Sequence, residues 1–247
     1  MAEMRSPAIV LRGRDYREAD RLVTLLTRDA GKVTVVARGT KKTKSKFSAL
    51  VEPLTLGHFL LRRGKSLDTL IQGEIIKPYN SLRKDLLLFT YAQYFCEVCE
   101  RSLPENEPAV PVFTLLLTAL ETLETEADSA RVARCFELNL LDELGFRPVL
   151  DACCTCGTAT GPFLFTPGHG GLLCGHCPRE PGSFPVSGAT VAIMQRFLDQ
   201  GFHRLAVCNV SPAANEEIRK VCAGIFRDSL GVAQLKTLSF LKTMESI

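Results

Sequence analysis

Residues 22–37 read LVTLLTRDAGKVTVVA, and this stretch decides the fold class. Leu22-Val-Thr-Leu-Leu26 and Val33-Thr-Val-Val-Ala37 are short runs of apolar and β-branched residues, too brief for helices and suited to strands. Between them, Thr27-Arg-Asp-Ala-Gly-Lys32 contains Gly31 and has the character of a hairpin turn. Outward from this pair, Ala8-Ile-Val-Leu11 supplies an earlier strand. Leu54 to Leu61 and Leu67 to Ile76 supply two later ones, joined by Arg62-Arg-Gly-Lys65. Five strands in about 80 residues suit a small closed barrel, and the OB-fold is the common five-stranded barrel of this size. The third and fourth strands are then separated by a loop of roughly fifteen residues, a length that usually carries function.

After Pro78 the period changes from strand to helix. Helices are expected over residues 82–103, 112–125 and 130–144, the last with Asp128 or Ser129 as N-cap and Gly145 as a stop. Two more follow a Cys/Gly/Pro-rich insert: 188–199 behind Ser187, and 213–230 behind Ser211-Pro212. In the last, Ile218, Val221, Cys222, Ile225 and Phe226 form an apolar stripe that should face a core. The expectation is an α+β, multi-domain chain: an OB-fold domain over 1–79 and a helical domain over 80–247, with an inserted lobe at about 148–182.

Charge is divided along the chain. The formal net charge is +3, but residues 1–79 hold 16 lysines and arginines against 8 acidic residues, while 80–247 hold 14 against 19. A basic module with an anionic partner, joined to a mildly acidic body, fits that split. Its densest part is Ala37 to Lys46, ARGTKKTKSK. Arg38, Lys41, Lys42, Lys44 and Lys46 are candidate phosphate contacts, as are Arg62, Arg63 and Lys65 in the later turn and Arg14 near the first strand, where Arg12 and Arg17 also lie. Stacking aromatics are few in this region (Tyr16, Phe47, Phe59, Tyr79), and the chain has no Trp. Binding should therefore rest on phosphates, depend on salt and show little sequence preference.

Cys153, Cys156, Cys174 and Cys177 give two C-x₂-C pairs seventeen residues apart, a spacing that suits a four-thiolate zinc site. Cys154 is an alternative to Cys153, and His176 to Cys177. The Gly/Pro-rich intervening segment reads as a loop with little core of its own, held by one structural Zn²⁺. Four thiolates leave no open coordination position, so a catalytic metal is not expected. Cys96, Cys99, Cys135, Cys208 and Cys222 lie in apolar surroundings and read as small core residues. No nucleotide-binding glycine loop, metalloprotease helix or nucleophile elbow is present, and no catalytic residue is assigned. The start, MAEMRSPAIVLRGRD, has no apolar stretch long enough for a secretory signal, and no apolar run is long enough to span a bilayer. Ten cysteines then point to a reduced, cytoplasmic setting, and the basic module's anionic partner, if DNA, would place it at the nucleoid.

Two segments carry a family resemblance. Val35-Val-Ala-Arg-Gly with the following lysines, Lys44-Ser-Lys-Phe47 and Leu50 to Leu56 form the first. Leu144-Gly-Phe-Arg-Pro, Cys153-x-x-Cys156-Gly and Phe165-Thr-Pro-Gly-His-Gly-Gly-Leu-Leu-Cys174-x-x-Cys177 form the second. Together they resemble the bacterial RecO family of recombination and repair proteins, apart from the doubled Cys153–Cys154. The resemblance implies an OB-fold followed by a helical domain with a zinc lobe. It also implies a non-catalytic mediator that binds single- and double-stranded DNA and anneals complementary strands. Such a mediator acts with RecR and with single-stranded-DNA-binding protein to load RecA. From the residues alone, a zinc-stabilised protein-interaction scaffold and an RNA-binding barrel remain alternatives.

Overall fold

Each of the five apolar runs becomes a strand in the computed structural model, which describes residues 2–42 and 45–244. The strands are β1 (Glu3–Asp15), β2 (Arg21–Thr27), β3 (Gly31–Ala37), β4 (Leu56–Arg62) and β5 (Asp68–Lys77). They close a barrel in the order β1-β2-β3-β5-β4. β3 and β5 meet in parallel, and only where Val35 and Val36 face Asp68 and Thr69. This is the OB-fold, a partly open Greek-key barrel. β1 is far longer than its apolar run because it pairs with β2 on one edge and β4 on the other. Pairing, rather than hydrophobicity, sets its length.

Ala8, Val10, Val23, Leu25, Val33, Val35, Phe59 and Leu61 fill the interior. The two halves of the loop between β3 and β4 differ. Its first half is polar, whereas Leu50, Val51 and Leu54 at its end are buried and plug the barrel. A Cβ on Gly57 or Gly73 would fall 3.1 or 2.4 Å from the Leu50 methyls, so these two glycines make the seat for that plug. Ile9 and Leu11, on the opposite face of β1, are also buried. There helix α2 (Leu86–Ser102) packs against β1. Burial of each such side chain contributes roughly 1.5–3 kcal/mol.

A short α1 (Asn80–Lys84) precedes α2, so the helix expected over 82–103 is divided. The break is at Asp85, whose extended backbone and side-chain acceptor cap Leu88 N–H and start a new helix. α3 spans Val110–Thr125, α4 Ser129–Glu143, α5 Gly188–Gln200 and α6 Pro212–Leu230. Asp128, Ser187 and Ser211 cap the last three as expected, and the α6 stripe is buried. A helix not anticipated from the sequence, α7 (Lys236–Met244), packs on α2. Compact units form over residues 1–116 with 235–247, and over 117–234.

The insert departs from the expectation of a loop. It forms a four-stranded sheet, β6 (Val149–Cys153), β7 (Phe163–Thr166), β8 (Gly171–Cys174) and β9 (Phe184–Val186), ordered β6-β8-β7-β9. Phe165, Leu172 and Leu173 are buried in it. Two four-residue apolar stretches suffice once paired, although neither is long enough to stand out among the glycines and prolines.

Candidate nucleic-acid interface and cysteine cluster

The turn after β1 and the first half of the β3–β4 loop lie together. Gly39 N–H donates to Asp20 Oδ1 at 2.8 Å and Lys41 N–H to Ala19 O at 3.2 Å. Gly39 has φ +66, which permits the bend that brings the loop back. Arg38, Lys42 and Lys46 are exposed, and on the turn after β1 the exposed Arg17 has its guanidinium 5.2 Å from the Tyr16 ring. Lys46 Nζ lies 5.6 Å from the Phe47 ring. Lys41 is paired with Asp15 at 2.6 Å and, hydrogen-bonded to it, holds that carboxyl below its usual range. Lys44 lies outside the described residues.

The cations at the β4–β5 turn are arranged differently. Arg62 pairs with Glu3 at 3.0 Å, and Arg63 pairs with Asp68 at 3.2 Å while also donating to Asn106 Oδ1 at 2.7 Å. Lys65 is exposed. Arg14, on the outer face of β1, lines a cleft with Arg12, Lys32 and Arg101. Lys32 and Arg101 escaped the sequence reading because only strand register and the course of α2 bring them to that cleft. Of the four aromatics, Phe59 and Tyr79 are buried, and Tyr16 and Phe47 remain partly exposed.

The four cysteines converge. The sulfurs of Cys153, Cys156, Cys174 and Cys177 all lie within 4.8 Å of one another. Cys153 to Cys177 is 3.9 Å and Cys156 to Cys174 is 3.6 Å. A tetrahedron with metal–sulfur bonds of about 2.3 Å has edges of about 3.8 Å, so the spacing fits a tetrahedral ion. β6 and β8 each deliver one cysteine at a strand end, and the tight turns beyond deliver the second. Cys154 faces away from the cluster, with its N–H on Leu172 O at 2.7 Å, and His176 is exposed outside the cluster. N–H groups of Cys156 and Cys174 lower the Cys153 thiol to about 6. Hydrogen bonding to Cys156 and the neighbouring sulfurs push Cys177 up to about 12. Four thiolates so close need a counter-charge to ionise together, and the set could hold a metal ion. Elsewhere burial raises Cys99 and Cys135 to about 12, as befits inert core thiols.

The sequence model described as "Recombination protein O N terminal" matches residues 1–79, and "Recombination protein O C terminal" matches 83–239. The chain belongs to the RecO family. "DNA repair protein RecO" of Bacillus pumilus is 36% identical over 245 residues, covering 99% of this chain and 95% of the relative. The protein of the same name from Symbiobacterium thermophilum is 38% identical, covering 100% and 99%. That of Listeria monocytogenes is 32% identical, covering 96% and 93%. Membership supports a role in DNA repair and recombination. The RecO N-terminal match ends two residues after β5, so it coincides with the barrel. Among the described residues, no helix is long and apolar enough to cross a membrane.

Proposed function

We propose that the protein is a non-catalytic mediator of DNA repair and recombination. It binds single- and double-stranded DNA without sequence preference and anneals complementary strands. With RecR, it helps load RecA on gaps coated by single-stranded-DNA-binding protein, in the cytoplasm at the nucleoid. The barrel, residues 1–79, is the DNA-binding module, and residues 80–247 carry the zinc lobe. The observation that carries this reading is the exposed set Arg38, Lys42 and Lys46 on a barrel loop of a RecO-family chain. Cations on an outward loop neutralise phosphates that would otherwise repel one another, which is what two approaching strands require. Arg14, Lys65, Arg62 and Arg63 extend the contact surface, the last two after exchanging a carboxylate for a phosphate. One Zn²⁺, held by Cys153, Cys156, Cys174 and Cys177, would tie β6 to β8 and supply no chemistry of its own.

The purified protein is expected to accelerate pairing of complementary strands with no ATP present. Each single-strand phosphate contact contributes about −0.7 to the slope of log affinity against log salt. Replacing Lys41, Lys42, Lys44 and Lys46 with Ala should flatten that slope by roughly two to three units and slow annealing, with folding intact. An unchanged slope in the folded variant, or annealing at the uncatalysed rate by the parent, refutes the assignment.

A further inference from the structure

The first half of β3 has no partner strand on its β5 side, because the two strands meet only from Val35 onward. The connection between α2 and α3 takes that edge. Lys32 and Glu105 form a parallel bridge, and Asn106 N–H donates to Lys32 O at 2.8 Å. The approach is so close that a Cβ on Gly31 would lie 1.7 Å from Glu107 O.

This segment brings carboxylates onto a basic face. Arg12, Arg14, Lys32 and Arg101 border one cleft on the outside of β1–β3, together with Glu100 and Glu105. Arg12 Nη1 lies 3.4 Å from Glu100 Oε1, and Lys32 Nζ lies 3.7 Å from Glu105 Oε1. Lys32 Nζ also donates to Glu100 O at 2.8 Å, and Thr34 Oγ1 to Glu105 Oε1 at 3.4 Å. Four cations around one cleft repel unless anions lie among them, and two carboxylates neutralise half of that charge. The β2–β3 face is also where OB barrels take oligonucleotides.

We propose that the outer face of β1–β3 is a second surface for the phosphates of a single strand, and that Glu100 and Glu105 occupy it as stand-ins for those phosphates. Arg12 is its entry contact: it is half exposed, whereas Lys32 is largely covered. A bound strand exchanges the carboxylate of Glu100 for a phosphate oxygen on Arg12. The two acidic residues thereby weaken loading of this face and keep the protein from holding every strand it meets. This inference rests on the DNA-binding reading above.

The test uses full-length Glu100→Gln/Glu105→Gln and a fluorescent oligothymidylate titrated over a range of salt. Glutamine keeps the size of each side chain and leaves the Asn106–Lys32 backbone bond in place. From a slope of about 0.7 per contact, one added contact gives about eightfold tighter binding near 50 mM salt and steepens the slope by about 0.7. Glu105→Gln alone should give a smaller gain in the same direction. Glu121→Gln/Glu143→Gln, with the same change in net charge at exposed positions of the other unit, should show little gain. The gain should also vanish in an Arg12→Ala background. If the parent binds and Glu100→Gln/Glu105→Gln binds no tighter, or the control pair gains as much, this inference falls while the DNA-binding reading stands. If the parent itself does not bind, both fall.

Discussion

Cys153 and Cys154 are chemically identical neighbours with different surroundings. At the end of β6, successive side chains leave on opposite faces, so only one of the two sulfurs can reach the cluster. Cys153 does so, accepting Cys174 N–H at 3.3 Å, while Cys154 spends its N–H on β8. Cys174→Ser should therefore bind no zinc and lose stability in residues 117–234, whereas Cys154→Ser should keep one equivalent. Metal analysis of the two purified variants decides this, and loss of zinc from Cys154→Ser but not from Cys153→Ser would reverse the assignment. The lysines show the same dependence on surroundings. Lys41 meets Asp15, and Lys42, one residue later, stands exposed.

Among the elements, α7 takes a cap from another helix. Glu97 of α2 supplies a cap for its first N–H groups. Lys236 N–H and Thr237 N–H each donate to the Glu97 carboxylate at 3.0 Å, and Thr237 Oγ1 donates at 2.5 Å. Burial pushes the Glu97 carboxyl up, but the hydrogen bonds from Thr237 and Lys236 outweigh it and hold the group below its usual value. A depressed carboxylate stabilises the fold above its unfolded value, near about 4.3, and that stability is lost as pH falls through the lower folded value. Glu97→Ala should cost about 1–2 kcal/mol, the cost of a lost cap. Amide exchange in residues 236–244 should rise in that variant at neutral pH and in the parent only in acid. Equal protection of α7 in both proteins at neutral pH would show that packing on α2 suffices.

For the whole molecule, the net charge of +3 conceals a basic barrel and a mildly acidic remainder. Within residues 147–181, Arg147 and Arg179 balance Asp151 and Glu180, so four thiolates around a divalent ion would leave the lobe negative. Phosphate would be repelled there, and the lobe and the loops proposed to bind DNA should respond independently. Removing zinc with a chelator is expected to lower the unfolding temperature of the unit over 117–234 and to leave the salt slope of DNA binding unchanged. Calorimetry and salt titration of the same metal-free sample provide the check. A flattened slope would mean that the cysteine lobe shapes the proposed DNA-binding surface.

The sequence by itself determined what depends on neighbours within a few residues. The hairpin at 22–37, the caps at Asp128, Ser187 and Ser211, and the paired cysteines all follow from local chemistry: turn residues, side-chain acceptors and ligand spacing. Only the tertiary structure decided the length of β1, the sheet that carries the cysteine cluster and the docking of α7. Only it placed Asp15, Glu3 and Asp68 against Lys41, Arg62 and Arg63, and Glu105 on the edge of β3. These features depend on partners that, for the most part, lie far apart in sequence. A strand's register and a cation's counter-ion are fixed when the chain closes on itself, and nothing in the local pattern of residues encodes that closure.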